Sequence, residues 1–290
     1  MGNAIEVENL VKRYGNFTAV HKLSFVAEQG EIFALLGTNG AGKTTTLECI
    51  EGIRHYNEGS ITVNGKIGVQ LQSSSLPGTL TALEAFRLFC KWNKAKESLT
   101  LLKDFGVSDF KDKLYKALST GQKRRLHLAI AMINSPDIIF LDEPTAGLDV
   151  EGRVSLHKEI RKLKEMGKTI LLASHDMAEV ESLCDRIAIL KEGKLAFLGT
   201  AMELTETSYG ESRIYFRTRN PFPIRQLTNG KYILSEQQES NSFIVATTEI
   251  GDALLELLTI MKEMDNDVMD VRIERASLEQ RFLEIAKEGR

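Results

Sequence analysis

A glycine-rich loop constrains this sequence more than any other feature. Residues 37–46 read GTNGAGKTTT and directly follow the apolar run IFALL. The loop fits the pattern G-x-x-x-x-G-K-[S/T] through Gly37, Gly42, Lys43 and Thr44, and it lies between a predicted buried strand and a predicted helix. Chance gives this pattern in roughly 1% of chains of this length. The loop therefore predicts a strand–loop–helix unit that binds a nucleoside triphosphate.

The residue types in the loop suit phosphate groups. Glycines allow the backbone to form a concave nest of N–H groups, and the following helix directs its positive end at the same point. Lys43 adds a mobile positive charge for the β- and γ-phosphates, and the Thr44 hydroxyl can ligate Mg²⁺. The predicted nucleotide-binding residues in the loop are Gly37, Thr38, Asn39, Gly40, Ala41, Gly42, Lys43, Thr44 and Thr45.

Length and composition are those of an ordinary globular protein. The chain of 290 residues is 42% hydrophobic and 27% charged, and it is long enough for two domains. Its net charge of −3 gives no general attraction for nucleic acid, so we expect no nucleic-acid partner. No apolar run approaches the roughly eighteen residues of a membrane-spanning helix. Cys49, Cys90 and Cys184 are far apart, and we expect free thiols in a reducing cytosol.

Hydrophobic patterns divide the chain into two predicted domains. In residues 1–207, apolar strands such as DIIFLDE and TILLAS alternate with helical runs at 43–52 and 152–166, which indicates an α/β core with parallel strands. In residues 208–290, short strands and a helix at 250–264 indicate a small α+β domain. The predicted apolar face of that helix consists of Ile250, Leu254, Leu257, Leu258 and Met261.

Two adjacent acids follow a predicted central strand. In DIIFLDEP, we expect Asp142 at the carboxyl end of the strand, where the ligands of parallel sheets bind. Asp142 suits a Mg²⁺ ligand, and Glu143 suits a general base that polarises an attacking water. Such a pair alone could equally be a helix cap. The phosphate loop in the same chain favours the catalytic interpretation.

Four motifs together carry a family resemblance. The phosphate loop is followed by LSTGQ at 118–122, LDEPTAGLD at 141–149 and ASHD at 173–176. In this order they resemble the ATP-binding-cassette (ABC) ATPases, the nucleotide-binding subunits of ABC transporters, over residues 4 to about 200. The resemblance implies ATP and Mg²⁺ as ligands and a P-loop ATPase core made of a mostly parallel sheet with helices. It also implies an antiparallel β subdomain and a helical subdomain.

The resemblance implies several roles within one subunit. Tyr14, in KRYG, matches the aromatic residue that stacks on adenine, and His175, in ASHD, matches the residue that holds the γ-phosphate and the attacking water. Gln72, in IGVQLQ, matches a residue that reaches Mg²⁺ and the water and senses the membrane partner. The implied catalytic residues are thus Glu143, His175 and Gln72, and the implied metal ligands are Thr44, Gln72 and Asp142.

Other implied roles depend on a second copy of the subunit. Ser119, Thr120, Gly121 and Gln122 of LSTGQ are implied to contact ATP bound to the opposite subunit of a dimer, and Asp149 is implied to lie at the dimer seam. From the residues alone, Ser119 before a basic helix is an N-cap. Thr120 stands where glycine is commonest in the family. If this position needs a positive φ, we expect backbone strain at Thr120.

The end of the chain extends the resemblance. Residues 276–285, ASLEQRFLEI, resemble the end of the appended domain in bacterial drug-export ATPases of the daunorubicin-resistance type. This resemblance implies the ATP-hydrolysing subunit of an exporter, which works as a homodimer with an integral membrane permease. Such a subunit is cytoplasmic and is held at the inner face of the membrane by the permease. The alternatives are a soluble single-cassette ATPase that acts on a macromolecular assembly, and a regulator without turnover, which Glu143 and His175 disfavour.

Overall fold

Two units of regular structure follow one another along the chain, Met1–Ala201 and Met202–Arg290. The computed structural model describes residues 2–70, 76–206, 212–221, 233–239, 241–274 and 278–287. The strands of the first unit are β1 (Asn3–Tyr14), β2 (Phe17–Glu28), β3 (Ile32–Leu36), β4 (Glu58–Val63), β5 (Ile67–Val69), β6 (Ile138–Asp142), β7 (Thr169–Ser174), β8 (Arg186–Lys191) and β9 (Lys194–Gly199). The helices up to the division are α1 (Lys43–Ile50), α2 (Ala82–Trp92), α3 (Leu99–Asp104), α4 (Thr120–Ala131), α5 (Val150–Glu165), α6 (Met177–Leu183) and α7 (Ala201–Glu206).

A six-stranded sheet forms the centre of the first unit. Its strand order is β5-β6-β7-β3-β8-β9, and all neighbours are parallel except β8 and β9. Every residue of β3 and β7 is buried, as expected for strands covered on both faces. The phosphate loop follows β3, while β7 ends at Ser174 and β6 ends at Asp142. The strand order therefore brings three of the motifs to one edge of the sheet.

An antiparallel sheet shares its hydrophobic core with the six-stranded sheet. Its strand order is β2-β1-β4, and buried side chains from both sheets and from α1 form one cluster. Within this cluster, the rings of Phe25 and Phe33 stack with their centroids 5.1 Å apart, and Leu47 of α1 is 1% exposed. Each such buried side chain contributes about 1.5–3 kcal/mol. The cluster thus fixes the helix that follows the phosphate loop.

The residues between β5 and β6 form the helical part of the first unit. α2 begins after Thr81, whose side chain and backbone exchange hydrogen bonds with the backbone and carboxylate of Glu84. α4 begins after Ser119 with the same reciprocal arrangement to Gln122. These capping boxes explain where the two helices begin. The predicted α/β core, antiparallel β subdomain and helical subdomain are all confirmed.

The second unit is a small α+β structure, as predicted. Its four strands form an antiparallel sheet in the order β11-β12-β10-β13. α8 packs its Ala253, Leu257 and Met261 side chains against the sheet, where the rings of Phe216 and Phe243 stack with centroids 5.3 Å apart. The elements are β10 (Ser212–Thr218), β11 (Ile233–Glu239), β12 (Ser242–Thr247), α8 (Ile250–Glu263), β13 (Val268–Glu274) and α9 (Leu278–Lys287).

Two details of the prediction were wrong. Leu258 was assigned to the apolar face of α8, but its side chain is 43% exposed, because the buried stripe follows the spacing of Ala253, Leu257 and Met261. The helix predicted at 152–166 begins at Val150, because the Asp149 carboxylate caps it by accepting a hydrogen bond from the Gly152 N–H at 2.8 Å.

The predicted domain boundary between residues 207 and 208 stays a prediction. It falls just after α7, in a stretch (207–211) that lies outside the described residues. Within the part of the chain that the structure describes, no helix has both the length and the apolarity needed to cross a bilayer.

Candidate functional site

The phosphate loop makes a tight turn between β3 and α1. Gly42 precedes α1 with φ +102°, a conformation that favours glycine. A Cβ atom on Gly42 would lie 2.6 Å from the Ala19 carbonyl oxygen, and one on Gly37 would lie 2.6 Å from the Leu190 carbonyl oxygen. Both distances are too short for non-bonded atoms. The glycines at the two ends of the motif are therefore required by the surrounding backbone.

Lys43 is folded back onto the loop. Its side chain is 7% exposed, and its Nζ donates to the carbonyl oxygens of Gly37 at 2.8 Å and Thr38 at 3.4 Å. Burial lowers the pKa of Lys43, while the carboxylates of Glu143 and Asp142 act in the opposite direction. The loop thus holds a desolvated cation beside two acids. Such a cation interacts strongly with an anion that enters the loop.

Thr44 and Asp142 come together, as the sequence predicted. The Thr44 hydroxyl donates to Asp142 Oδ2 at 3.2 Å, although the two residues are 98 positions apart. Both side chains offer oxygen atoms, which are the ligands that Mg²⁺ prefers. The third predicted metal ligand, Gln72, lies outside the described residues. Among the residues that are described, no group of three His, Cys, Asp or Glu side chains converges to hold a metal ion.

A further carboxyl group lies close to this pair. Glu51 follows α1, and its pKa is raised to about 7 by burial first and then by the negative charges of Asp142 and Glu48. Local negative potential of this kind favours a cation. Sequence analysis assigned no role to Glu51.

Glu143 and His175 meet at the ends of neighbouring strands. The Glu143 Oε2 and His175 Nδ1 atoms are 2.7 Å apart, and their side chains are 30% and 63% exposed. Glu143 has φ +49°, which costs a non-glycine residue about 1–3 kcal/mol and persists only where neighbours hold it. Its N–H donates to the Ala173 carbonyl oxygen at 2.9 Å. Two of the three predicted catalytic residues, Glu143 and His175, therefore form one close pair that is accessible to water.

The signature segment lines a cavity of its own. Residues 119–122, together with residues of the 147–152 segment, line a cavity of about 530 Å³ that includes Asp149. Thr120 is the first residue of α4 and does not have a positive φ. The condition for strain at Thr120, a positive φ, is therefore not met, because residues in an α-helix have a negative φ.

Tyr14, the predicted adenine-stacking residue, lies at the end of a strand. Tyr14 ends β1, its side chain is 39% exposed, and Lys12 Nζ lies 4.8 Å from the centre of its ring.

Arg124 of α4 is 7% exposed and donates to the Glu143 carbonyl oxygen. Sequence analysis missed Arg124, because a basic residue on a predicted helix gives no signal that its side chain is buried.

Comparison with known proteins finds relatives that cover most of the chain. The family model described as ABC transporter matches residues 20–146. An uncharacterised ABC transporter ATP-binding protein of Methanocaldococcus jannaschii is 35% identical over 286 residues, which cover 97% of this chain and 98% of that protein. The linearmycin resistance ATP-binding protein LnrL of Bacillus subtilis is 36% identical, covering 72% of this chain and 73% of that protein. A Nod factor export ATP-binding protein I of Burkholderia orbicola is 36% identical, covering 76% and 79%.

Solved structures give the same fold. The ADP conformation of an ATP-binding cassette of an ABC transporter has a TM-score of 0.65 and 22% identity, and the match covers 70% of this chain and 93% of that chain. A dimeric post-hydrolysis state of a second cassette, bound to ADP and Pi, has a TM-score of 0.61 and 26% identity, and the match covers 68% and 98%. The predicted ATPase activity agrees with both relatives and structures. The chain belongs to the family of ABC transporter ATP-binding proteins.

Proposed function

We propose that this chain hydrolyses ATP with Glu143 as the general base and energises an exporter. The observation that carries the proposal is the 2.7 Å contact between Glu143 Oε2 and His175 Nδ1. The contact lies at the same edge of the sheet as the phosphate loop. A carboxylate there accepts the proton of a water that attacks the γ-phosphate, and His175 holds that carboxylate and the phosphate in line.

The phosphate loop binds the triphosphate through residues 37–45. Lys43 gives up its two carbonyl partners, Gly37 and Thr38, and donates to the β- and γ-phosphates instead. Because Lys43 is desolvated before the ligand arrives, little water has to be removed from it. Tyr14 supports the adenine ring by stacking, in keeping with its half-open position at the end of β1.

Mg²⁺ fits the Thr44 and Asp142 oxygens, and we assign Gln72 as a further ligand that also contacts the attacking water. When bound, the ion supplies positive charge that offsets the charge developing on the phosphate oxygens. The 3.2 Å approach of Thr44 to Asp142 supports this assignment.

The active form is a homodimer in which each site uses two chains. The signature segment of one chain contacts the ATP bound to the opposite subunit through Ser119, Thr120, Gly121 and Gln122. Asp149 lies at the seam of the dimer. Two observations support this arrangement. These residues line one surface cavity, and a solved cassette with 26% identity is dimeric in its post-hydrolysis state.

The transporter is an exporter, because a relative that is 36% identical is named for the export of Nod factors. An integral membrane permease is the partner, and it holds the subunit at the cytoplasmic face of the membrane.

The 1–207 domain binds ATP, and the 208–290 domain is an accessory contact domain. The relatives' names favour a transporter over a soluble ATPase of a macromolecular assembly.

Glu143→Gln tests the assignment of the base. The amide cannot accept the proton, so we expect turnover to fall about 10²–10⁴-fold while ATP binding is retained. Glu165→Gln, at the exposed end of α5, is the matched control and should hydrolyse ATP at the wild-type rate. A Glu143→Gln protein with wild-type turnover would remove Glu143 from the role of base.

Mixed dimers test the site made of two chains. Lys43→Ala protein and Ser119→Arg protein are each expected to be inactive. Their heterodimer keeps one complete site, because the phosphate loop of one chain meets the signature segment of the other. Activity should return on mixing. Heterodimers that form without recovering activity would contradict the two-chain site.

A further inference from the structure

A buried arginine connects the signature helix to the catalytic acid. Arg124 lies in the second turn of α4, the helix that Ser119 caps, and its side chain is 7% exposed. Its Nη2 atom donates to the backbone carbonyl oxygen of Glu143 at 3.0 Å and to that of Ala146 at 3.3 Å. A charged group on one motif thus holds the main chain of another.

The two carbonyl groups belong to a turn that begins at the catalytic acid. The Ala146 N–H donates to the Glu143 carbonyl oxygen at 3.2 Å and closes this turn. Glu143 is the residue with φ +49°, and such a conformation needs contacts on both sides to persist. Ala173 of β7 accepts the Glu143 N–H, and Arg124 binds the Glu143 carbonyl group. The direction of the Glu143 side chain therefore depends on Arg124.

Burial of this arginine needs compensation. Burial lowers the pKa of Arg124, and nearby acidic groups act in the opposite direction. A buried guanidinium is costly unless its N–H groups are bonded, and here the bonds go to carbonyl groups of the backbone. The neighbouring arginine, also among the described residues, does not bind this turn. The Arg125 guanidinium instead packs against Phe110, 5.3 Å from the centre of the ring.

We propose that Arg124 is a positioning residue that orients Glu143 from the signature helix. The inference rests on the proposed function, in which Ser119 and its neighbours contact ATP on the opposite subunit. One helix then carries both the contact to the partner's ATP and the support of the chain's own base. One helix therefore links the two sites of the proposed dimer.

Three variants of the full chain test the positioning role. Arg124→Gln is expected to lower kcat about tenfold to hundredfold, because a small misplacement of the base has that effect, while the Kd for ATP changes by less than about twofold. Arg124→Lys should recover part of the loss, since both hydrogen bonds come from one nitrogen atom. Arg161→Gln is the matched control, because the Arg161 Nη2 atom also donates to a backbone carbonyl oxygen, that of Ser182 at 3.0 Å, and Arg161 does not line the cavity of residues 119–122. It should leave kcat near the wild-type value. Equal losses of kcat and ATP affinity in Arg124→Gln, without recovery by lysine, would overturn the proposal.

Mixed dimers show which chain needs the arginine. In the heterodimer of Lys43→Ala and Ser119→Arg chains, the working Glu143 is in the Ser119→Arg chain. Arg124→Gln placed in that chain should reduce kcat as in the homodimer, and placed in the Lys43→Ala chain it should change kcat by less than about twofold. The reverse pattern would overturn the proposal. A parent heterodimer without activity would contradict the two-chain site and the link between sites, and the homodimer variants would still decide whether Arg124 positions Glu143.

Discussion

The two units of this chain differ in where they place buried polar groups. In the first unit, buried or strained polar residues gather at the edge of the six-stranded sheet, where Lys43 is desolvated and Glu143 has φ +49°. In the second unit, the buried Asn266 side chain binds the N–H and the carbonyl oxygen of Asn220, at 2.9 and 3.0 Å. The first arrangement gathers polar groups around the phosphate loop, and the second joins two segments of the small domain.

A backbone outlier and a desolvated charge that lie together indicate a functional site. A backbone outlier or a desolvated charge costs free energy, so it persists where something else benefits from it. The edge of the first unit has both features within one site. The described core of the second unit is an apolar helix on an apolar sheet face.

The largest expected effect is on the stability of the second unit. Leu257 is fully buried under the sheet, whereas Leu258 is 43% exposed. Leu257→Ala should therefore lower the free energy of unfolding of this unit by about 2–5 kcal/mol, and Leu258→Ala should lower it by less than about 1 kcal/mol. Denaturant unfolding measures both. If Leu257→Ala also weakened ATP binding, the two units would not differ as described.

The next effect concerns ATP affinity in the first unit. Lys43→Ala removes charge-assisted hydrogen bonds to phosphate, so we expect the Kd for ATP to rise about tenfold to hundredfold. Lys262→Ala, in the last turn of α8, is the matched control in the second unit and should leave the Kd unchanged. Titration with a fluorescent ATP analogue measures both values, and thermal melting checks the fold. An unchanged Kd in Lys43→Ala would show that the loop is not the phosphate site.

A smaller effect depends on pH and belongs to the first unit. The pKa of Glu51 is raised to about 7 in the folded chain, whereas an exposed glutamate has a pKa of about 4.3. The folded state thus binds the proton more tightly, and this contribution to stability is lost as pH rises through 7. In the nucleotide-free protein, the free energy of unfolding of the wild type should fall on the order of 1 kcal/mol between pH 5 and 8, because solvent screening of the partly exposed Glu51 reduces the full linkage effect. Glu51→Gln should not show this fall.

The second unit provides the contrast for this pH effect. The pKa of Tyr215 is raised above its ordinary value, mainly by its hydrogen bond to Glu274. Any stability linked to that group is lost only as pH rises above 10, so the second unit should not change between pH 5 and 8 through Tyr215. Equal pH slopes in wild type and Glu51→Gln would show that Glu51 does not titrate in this range.

Sequence patterns predicted those features that depend on short stretches of chain. About ten residues of sequence are enough to predict each of three features. They are the phosphate loop, the strand that ends at Asp142 and the apolar strand before His175. The strand order of the folded sheet brings Thr44 to Asp142 and Glu143 to His175. The motifs therefore named residues that the structure places together, and the roles of these residues stay predictions.

Other features required contacts that no local pattern contains. Arg124 was missed because its two acceptors lie on another segment, beyond β6. Glu51 was missed because its pKa depends on burial and on Asp142, which is distant in sequence. Leu258 was misassigned because apolar spacing alone does not say which of two adjacent leucines the sheet covers. Such contacts arise from tertiary packing.

The smallest expected effect comes from removing the second unit. A chain that ends at residue 207 keeps both sheets, the phosphate loop and every described site residue of the first unit. We therefore expect its Kd for ATP to stay within about twofold of the full chain, while dimer formation or coupled transport weakens. The test compares the short and the full-length chain in three measurements: ATP titration for the Kd, the mass of the dimer, and the rate of transport. A folded short chain with much weaker ATP binding would assign the second unit to the nucleotide site, because only a contribution to that site could then explain the loss.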